Sequence, residues 1–543
     1  MISQHRIISD FNRRVLATSV LFLLFCNISS AQLYGPQSGE FKSLERQSVS
    51  SLEYGDQNIW IGPGLNAYRT QSGEFFVPEN ADSVFNARGR VFSLATESSR
   101  IFAGLGFTST RGGGSVNAAM GYYQSKNSGE SWEFIPFPLD DKAPEQCNAE
   151  SVGPPCDLEF TYGGETYIRT RTTVPEQSPP FEVDFHEDTI LSVNWASGLL
   201  RSSDNGLTWE RLILPPFFEA ELTPDSTYQW FSQSPDGAIN RYDPRFDNNL
   251  LGFGLLIDEQ QRVWVGTAGG INISENALTA PKDEISWRHI AFNPDIQDGL
   301  LGNWIIKIRQ QPDTDRIWMT NWRADPDNRD QFGIVYTEDE GETFHTFLEG
   351  IRVNDIGFFD GVIYAAASDG LYISGDDGGT WSRQHRIESP NTFIKEDASF
   401  LALTNSDSGI WAGSSDGLAF SPDHGSSWTI FRVNLPLSGG NIYQPGAPEA
   451  NAYAYPNPFS PTIHSLVRIK FKAETTDRPT VRIFDYAMNP VRIIKTNSVS
   501  ADGSYEISWD GRTDNGRVVA GGAYFYSIDG SNGPIRGKIL LLD

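Results

Sequence analysis

Five copies of one eight-residue turn constrain this chain more than its length does. The first reads Ser125-Lys126-Asn127-Ser128-Gly129-Glu130-Ser131-Trp132, and the others occupy residues 202–209, 337–344, 374–381 and 421–428. The shared pattern is Ser/Thr-x-Asp-x-Gly-x-Thr/Ser-aromatic, with Asn127, Asp204, Asp339, Asp376 and Asp423 at its third position. An oxygen there can accept backbone N–H groups one and two residues on. Glycine at the fifth position supplies the positive φ of a tight hairpin. The closing Trp or Phe returns to a strand and buries a large ring. These residues read as structural, because one catalytic centre has no use for five copies.

Short β-branched and aromatic runs lie between the turns, bounded by Gly, Ser and Asp. Arg262-Val-Trp-Val-Gly-Thr before Gly270-Ile-Asn-Ile-Ser is one example, and Val362-Ile-Tyr-Ala-Ala-Ala before Gly370-Leu-Tyr-Ile-Ser is another. These read as strands. A unit of four such strands cannot bury both faces alone, and radial repetition solves that problem. The text divides into seven units, the first degenerate and the fourth interrupted between Ser274 and Trp287. Six or eight units fit as well, because the closing strand is not readable. The turn resembles the Asp-box, or BNR repeat, of sialidase-like and sortilin-like proteins. That resemblance implies an all-β fold, a β-propeller over residues 32–433.

Residues 1–31 read as a secretory signal peptide. Arg6, Arg13 and Arg14 form a basic start, Val15 to Ile28 is a short apolar run, and Ser29-Ser30-Ala31 supplies small residues for cleavage. No later segment is apolar for long enough to cross a bilayer, so the mature chain is expected to lack a transmembrane segment. Cys147 and Cys156 then remain, and an even pair in an exported chain favours a disulfide over two free thiols. The formal net charge is −27. Residues 448–543 hold eleven Lys/Arg and ten Asp/Glu, so the acidity lies upstream of them. Such a balance argues against nucleic acid and against anionic membranes as partners.

A Gly-, Pro- and Asn-rich stretch at 434–450 reads as a linker. Residues 451–543 then carry about seven short strands, which suggests a small immunoglobulin-like sandwich. The segment opens on Tyr455-Pro-Asn-Pro-Phe459, continues through Trp509-Asp-Gly and Gly522-Ala-Tyr-Phe-Tyr526, and ends on an apolar strand. In these elements it resembles the FlgD-like immunoglobulin-type domains of exported bacterial proteins. It is similar to the C-terminal sorting domain of type IX secretion substrates. Asp543 departs from the basic residue that often ends such tails. The resemblance implies a secreted or surface-attached protein that meets export machinery through this domain.

Chemistry is harder to read. Gly413-Ser414-Ser415-Asp416-Gly417 fits a nucleophile motif in form only, since it joins two strands rather than a strand and a helix. The histidines have no metal-ligand spacing, and Asp325, Asp327 and Asp330 lack the Gly and Glu of a calcium loop. No metal or cofactor is expected. The arginine triad and Phe/Tyr-Arg-Ile-Pro element of sialidases are not legible. The expected role is non-catalytic binding of an extracellular glycan or protein at or outside the cell envelope. A secreted glycoside hydrolase, sialidase- or xyloglucanase-like, with an unidentified carboxylate pair, is the alternative. Long segments at 108–120, 139–185, 215–250 and 321–331 all fall opposite the repeated turns. Trp322, Arg323, Asp325 and Asp327 are the expected ligand-binding residues, a flat platform beside a forked donor.

Overall fold

The computed structural model describes residue 44 and residues 46–542, apart from 77–88, 112, 149, 325–328, 390–391, 434–450, 474–477, 497–503 and 530–532. The signal segment, the linker, Asp325 and Asp327 lie outside the described residues.

Among the described residues, seven sheets follow one another, each built from consecutive antiparallel strands. They span residues 51–76, 89–136, 180–212, 252–290, 304–347, 353–384 and 400–431. The first strand of each sheet packs against the first strand of the next, and that of the seventh returns to that of the first. The result is an all-β ring of sheets around a central channel, a β-propeller. The closing seam uses no shared strand. Leu44, Val49, Leu52 and Ile59 share a core with Ala402, Trp411 and Leu418, and the Val49 amide donates to Ser414 O at 2.9 Å.

The repeated turns join the third and fourth strands. Their polar geometry reaches further than the local turn expected from sequence. In the second copy, Asp204 Oδ1 accepts the Thr208 amide four residues on at 2.8 Å, and Oδ2 accepts the Thr208 hydroxyl at 2.6 Å. Ser202 Oγ donates to Asp204 and accepts the Gly206 amide, both at 2.8 Å. Asn127 makes the equivalent bond to the Ser131 amide at 2.9 Å. The glycines have φ of 85° to 89°, and the residue before each is also left-handed, as at Asn205 with φ 57°. A Cβ on Gly129 would meet Trp60 at 2.2 Å, so this glycine also lets the turn lie on the preceding sheet.

The interrupted fourth unit keeps the same arrangement. Ser274 Oγ donates to Asn276 Oδ1 at 3.1 Å, and that oxygen accepts the Ser286 amide at 3.0 Å across an insertion. Ser286 and Trp287 thus stand where the closing Ser-Trp of an uninterrupted turn would stand.

The long segments are more ordered than loops. Arg100–Arg111 and Gly114–Ser125 pair as one extended hairpin. The segment after the second sheet holds the hairpin Leu158–Tyr162 and Glu165–Arg169, and Cys147 is disulfide-bonded to Cys156. The segment after the third sheet adds Glu221–Leu222 to the outer edge of the fourth and carries the hairpin Phe231–Ser234 and Gly237–Asn240. Tyr162, Tyr167, Tyr228, Trp230 and Tyr242 give these two insertions a common aromatic core.

Residues 452–541 form a two-sheet sandwich. Ala452–Tyr455, Val467–Lys472 and Ser504–Trp509 make one sheet, and Pro490–Lys495, Thr480–Phe484, Gly522–Asp529 and Ile535–Leu541 make the other. Alternating residues such as Val467, Ile469 and Phe471 face Val481, Ile483 and Tyr526 in its core. Among the described residues, no helix is long and apolar enough to cross a membrane.

Candidate functional site

The site begins with a backbone irregularity repeated around the ring. In sheets two to seven the first strand carries a β-bulge near its start, between Val91/Ser93, Pro180/Glu182, Gly252/Gly254, Ile305/Lys307, Val353/Asp355 and Phe400/Ala402. A bulge leaves one residue unpaired and re-aims its side chain. The six residues released are Phe92, Phe181, Phe253, Ile306, Asn354 and Leu401, and every one lines a single cavity of about 390 Å³. Strand alternation alone would not put a large apolar residue at this height in so many sheets.

The cavity opens where the first strands begin. Antiparallel order puts the turns between second and third strands at this end and the repeated Asp turns at the other. Three of the released residues form an aromatic rail. Phe92 lies 6.0 Å from Phe181, which lies 5.6 Å from Phe253, which lies 5.1 Å from Trp304, measured between ring centroids. Trp195 closes against Phe253 at 4.8 Å and Trp304 at 5.8 Å. Trp304 pairs in register with Trp322, which also lines the cavity.

Beneath the rail, the strands present ions. Lys307 pairs with Glu182. Arg309 bonds Asp355 through Nε at 3.2 Å and Nη2 at 3.3 Å, and stands 3.8 Å from Glu53. Burial pushes the Glu53 carboxyl up to about 7, although Arg309 and Lys307 pull it down. Burial likewise pushes Asp184 up to about 7 against the bonds it accepts from the Ile257 and Phe185 amides. Arg309 is held above the usual guanidinium range, since Asp355 and Glu53 outweigh its own burial.

The channel-facing backbone is also engaged. Ser51 Oγ donates to Phe92 O at 3.2 Å, Ser93 Oγ to Pro180 O at 2.9 Å, and Asn354 Nδ2 to Phe400 O at 2.6 Å. Asp184 accepts the Ile257 amide at 2.7 Å, and Asp355 accepts the Leu403 amide at 3.0 Å. Each of these bonds joins one sheet to the next. They satisfy strand edges that would otherwise face the channel unpaired.

The expected site residues fall in different places. Trp322 lines the cavity, and its indole N–H donates to Val353 O at 2.7 Å. Arg323 is not beside it in the cavity; its guanidinium lies 5.6 Å over the Phe332 ring. Arg352 covers Trp322 instead, at 3.7 Å from the ring centroid. Adjacent residues at a strand end point to opposite sides, which separates Trp322 from Arg323. Ser414 Oγ is buried and donates to Gly417 O at 2.8 Å, as a turn hydroxyl does. Glu53, Glu182, Asp184, Lys307, Arg309 and Asp355 are the residues that sequence reading missed. Their signal was an ionisable residue inside an otherwise apolar first strand, as in Phe181-Glu182-Val183-Asp184-Phe185 and Ile306-Lys307-Ile308-Arg309.

A second cavity, of about 250 Å³, lies between the paired strands Glu388–Ser389 and Thr392–Phe393 and the sandwich. Its buried charges belong to the contact between the two. Asp416 sits between Arg432 at 3.0 Å and Arg468 at 2.7 Å, and Glu506 takes Arg468 at 3.3 Å and the Thr392 hydroxyl at 2.6 Å.

Residues 464–533 match the family model of the FlgD Ig-like domain. No curated protein matches the chain significantly. Similar solved structures include YCF48 from Cyanidioschyzon merolae, at 14% identity over 72% of this chain and 98% of that chain, TM-score 0.39. PorZ, a bacterial surface component of the type-IX secretion system of Porphyromonas gingivalis, is similar at 14% identity over 91% and 75%, TM-score 0.25. The WD40 β-propeller domain of Doa1 is similar at 10% identity over 73% and 97%, TM-score 0.36. The propeller stands on its own strand pairing, and residues 464–533 of the sandwich are similar to the FlgD Ig-like family.

Proposed function

We propose that this is an exported, non-catalytic binding protein whose ligand enters the central cavity at the end opposite the repeated Asp turns. The reading divides the chain into a signal at 1–31, a propeller at 32–433, a linker at 434–450 and a sorting or attachment sandwich at 451–543. Cavities of a few hundred Å³ lined by apolar residues with a few polar groups are characteristic of small-ligand sites. The single observation that carries the proposal is the ring of six bulge residues. A bulge disrupts its ladder, and six in register around one cavity, five of them at apolar residues, place apolar surface where a purely structural channel has no use for it.

A glycoside hydrolase is the second reading, favoured by the raised carboxyls of Glu53 and Asp184. A general acid must reach the scissile oxygen. Neither of these side chains lines the cavity, and the two carboxylates that do, Glu182 and Asp355, are ion-paired. Binding is therefore preferred to turnover.

Glycan-array binding paired with a hydrolysis assay on the same glycans tests this. Phe181→Ala and Trp322→Ala should each weaken binding about tenfold or more, with the melting temperature little changed. Unchanged affinity in both variants would move the site elsewhere, and product release that Glu53→Gln abolishes would restore the hydrolase. For the sandwich, a chain ended at residue 450 should fail to reach the medium or cell surface in a host with type IX export; normal export would remove the sorting role.

A further inference from the structure

Counting Glu53 beside Arg309, the charges around the cavity balance, but one cation in its lining has no direct partner. Arg90, Lys307 and Arg309 line it beside Glu182 and Asp355. Lys307 is taken by Glu182 and Arg309 by Asp355. Arg90 is left over, and among the described residues no carboxylate pairs with it. Its guanidinium is nonetheless held in place. It lies 4.5 Å over the Phe92 ring, and Nη2 donates to Asn117 Oδ1 at 2.6 Å. Its Nε is buried with no partner among the described residues. A guanidinium fixed by a ring and an amide, with no carboxylate of its own, can serve as counter-ion to an anion at the end of an aromatic rail.

Its surroundings point the same way. Arg46 donates to Gly89 O at 3.5 Å, next to Arg90. Across the opening, Arg352 covers Trp322 with no ion-pair partner among the described residues. A chain of net charge −27 thus gathers arginines at this opening. Like charges gathered in one cleft concentrate a ligand of opposite sign.

We infer that the cavity receives the carboxylate-bearing end of an acidic sugar, with Arg90 as counter-ion and the rail Phe92–Phe181–Phe253 as the stacking face for the ring. This rests on the binding reading above. A peptide strand is disfavoured, because several channel-facing backbone groups that would pair with it are already bonded between sheets. A sugar ring needs only a flat apolar face and a few directed donors.

The test is calorimetry of the full chain with oligogalacturonate and with a glucuronate-tipped xylo-oligosaccharide, each beside its neutral methyl ester. An acidic peptide series serves as comparison. At least one acid should bind, and its ester about ten- to a hundred-fold more weakly, the worth of a charge-assisted bond. Arg90→Gln should erase that difference, Arg90→Lys should keep part of it, and melting curves should confirm that both fold. The rise in Kd with salt should also flatten in Arg90→Gln. Equal binding of acid and ester, or an unchanged difference in a folded Arg90→Gln, overturns the inference but leaves the binding reading intact. Binding of acidic peptides alone overturns the sugar assignment. Binding of none of these probes, together with a blank glycan array, sinks both.

Discussion

Arg468 on the sandwich places its Nη2 2.7 Å from Asp416 Oδ2 on the seventh sheet, and both side chains are almost wholly buried. Burial works against the Asp416 carboxylate, but Arg432 and Arg468 outweigh it and hold the group below its ordinary range. Gln47, just before the ring's closing seam, reaches the same carboxylate at 3.5 Å. The sandwich therefore shares a buried ionic contact with the propeller, which a linker poor in apolar residues does not lead one to expect. Arg468→Ala leaves Asp416 and Glu506 buried with less compensation. It should cost about 3 kcal/mol in denaturant unfolding, the usual penalty for breaking one partner of a buried pair. A loss below the scatter of surface mutations would mean that the contact opens to water in solution.

The repeated turns allow a finer test. Slight burial raises the Asp339 carboxyl, but bonds from the Thr343 hydroxyl and amide and from Thr337 outweigh it and hold it at about 2. Its folded value is depressed, so its contribution is present above the unfolded value of about 4 and is lost as pH falls through about 2. Asp339→Ala should lower stability at neutral pH by about 1 kcal/mol. Asp339→Asn should cost less, because Asn127 holds the first copy of the turn with an amide. Equal losses in the two variants would contradict the hydrogen-bond account.

These turns were legible because their chemistry is local and repeated five times. The same locality hid the turn of the fourth unit, where Asn276 and Ser286 meet across an insertion. The sandwich was legible from its alternating strands. The cavity was not, because a bulge shifts which residue faces inward, and single-sequence periodicity does not mark where pairing slips. Trp322 was picked out as a large ring in a long segment between strands, and it lines the cavity. Arg352, its partner, lies thirty residues further on, just before the sixth sheet, and the packing of neighbouring sheets brings the two together. Asp416 read as one more Ser-Asp-Gly turn, since its arginine partners come from two other segments.

The Cys147–Cys156 bridge closes a short loop that Arg171 ties down through bonds to Pro155 O at 2.9 Å and Cys156 O at 3.0 Å. In the chain-entropy account, closing so short a loop stabilises by about 2–3 kcal/mol. Replacing both cysteines with serine should lower the unfolding midpoint accordingly. Affinity at the central cavity should stay unchanged, since none of these residues lines it. Two titratable thiols in the unfolded, unreduced protein would show that the bond does not form in the exported chain.

The last prediction concerns Glu53, whose carboxyl is pushed up to about 7 in the folded chain from an ordinary 4.5, chiefly by burial. Between those values the folded state binds more protons than the unfolded chain, so stability falls as pH rises through that window and levels off above it. Glu53→Gln removes this dependence while Arg309 keeps Asp355 as its partner. The variant should gain on the parent chain as pH goes from 4 to 8, by at most about 3 kcal/mol for a shift of this size. Glu53 keeps about a quarter of its side chain exposed, so its solvation lessens the cost of burial and reduces the gain. Urea unfolding of both proteins across this range reads the difference directly. A constant gap would mean that Glu53 titrates as an ordinary exposed carboxylate. A gap that widens against the variant would mean that the charged pair with Arg309, not burial, controls this side of the channel.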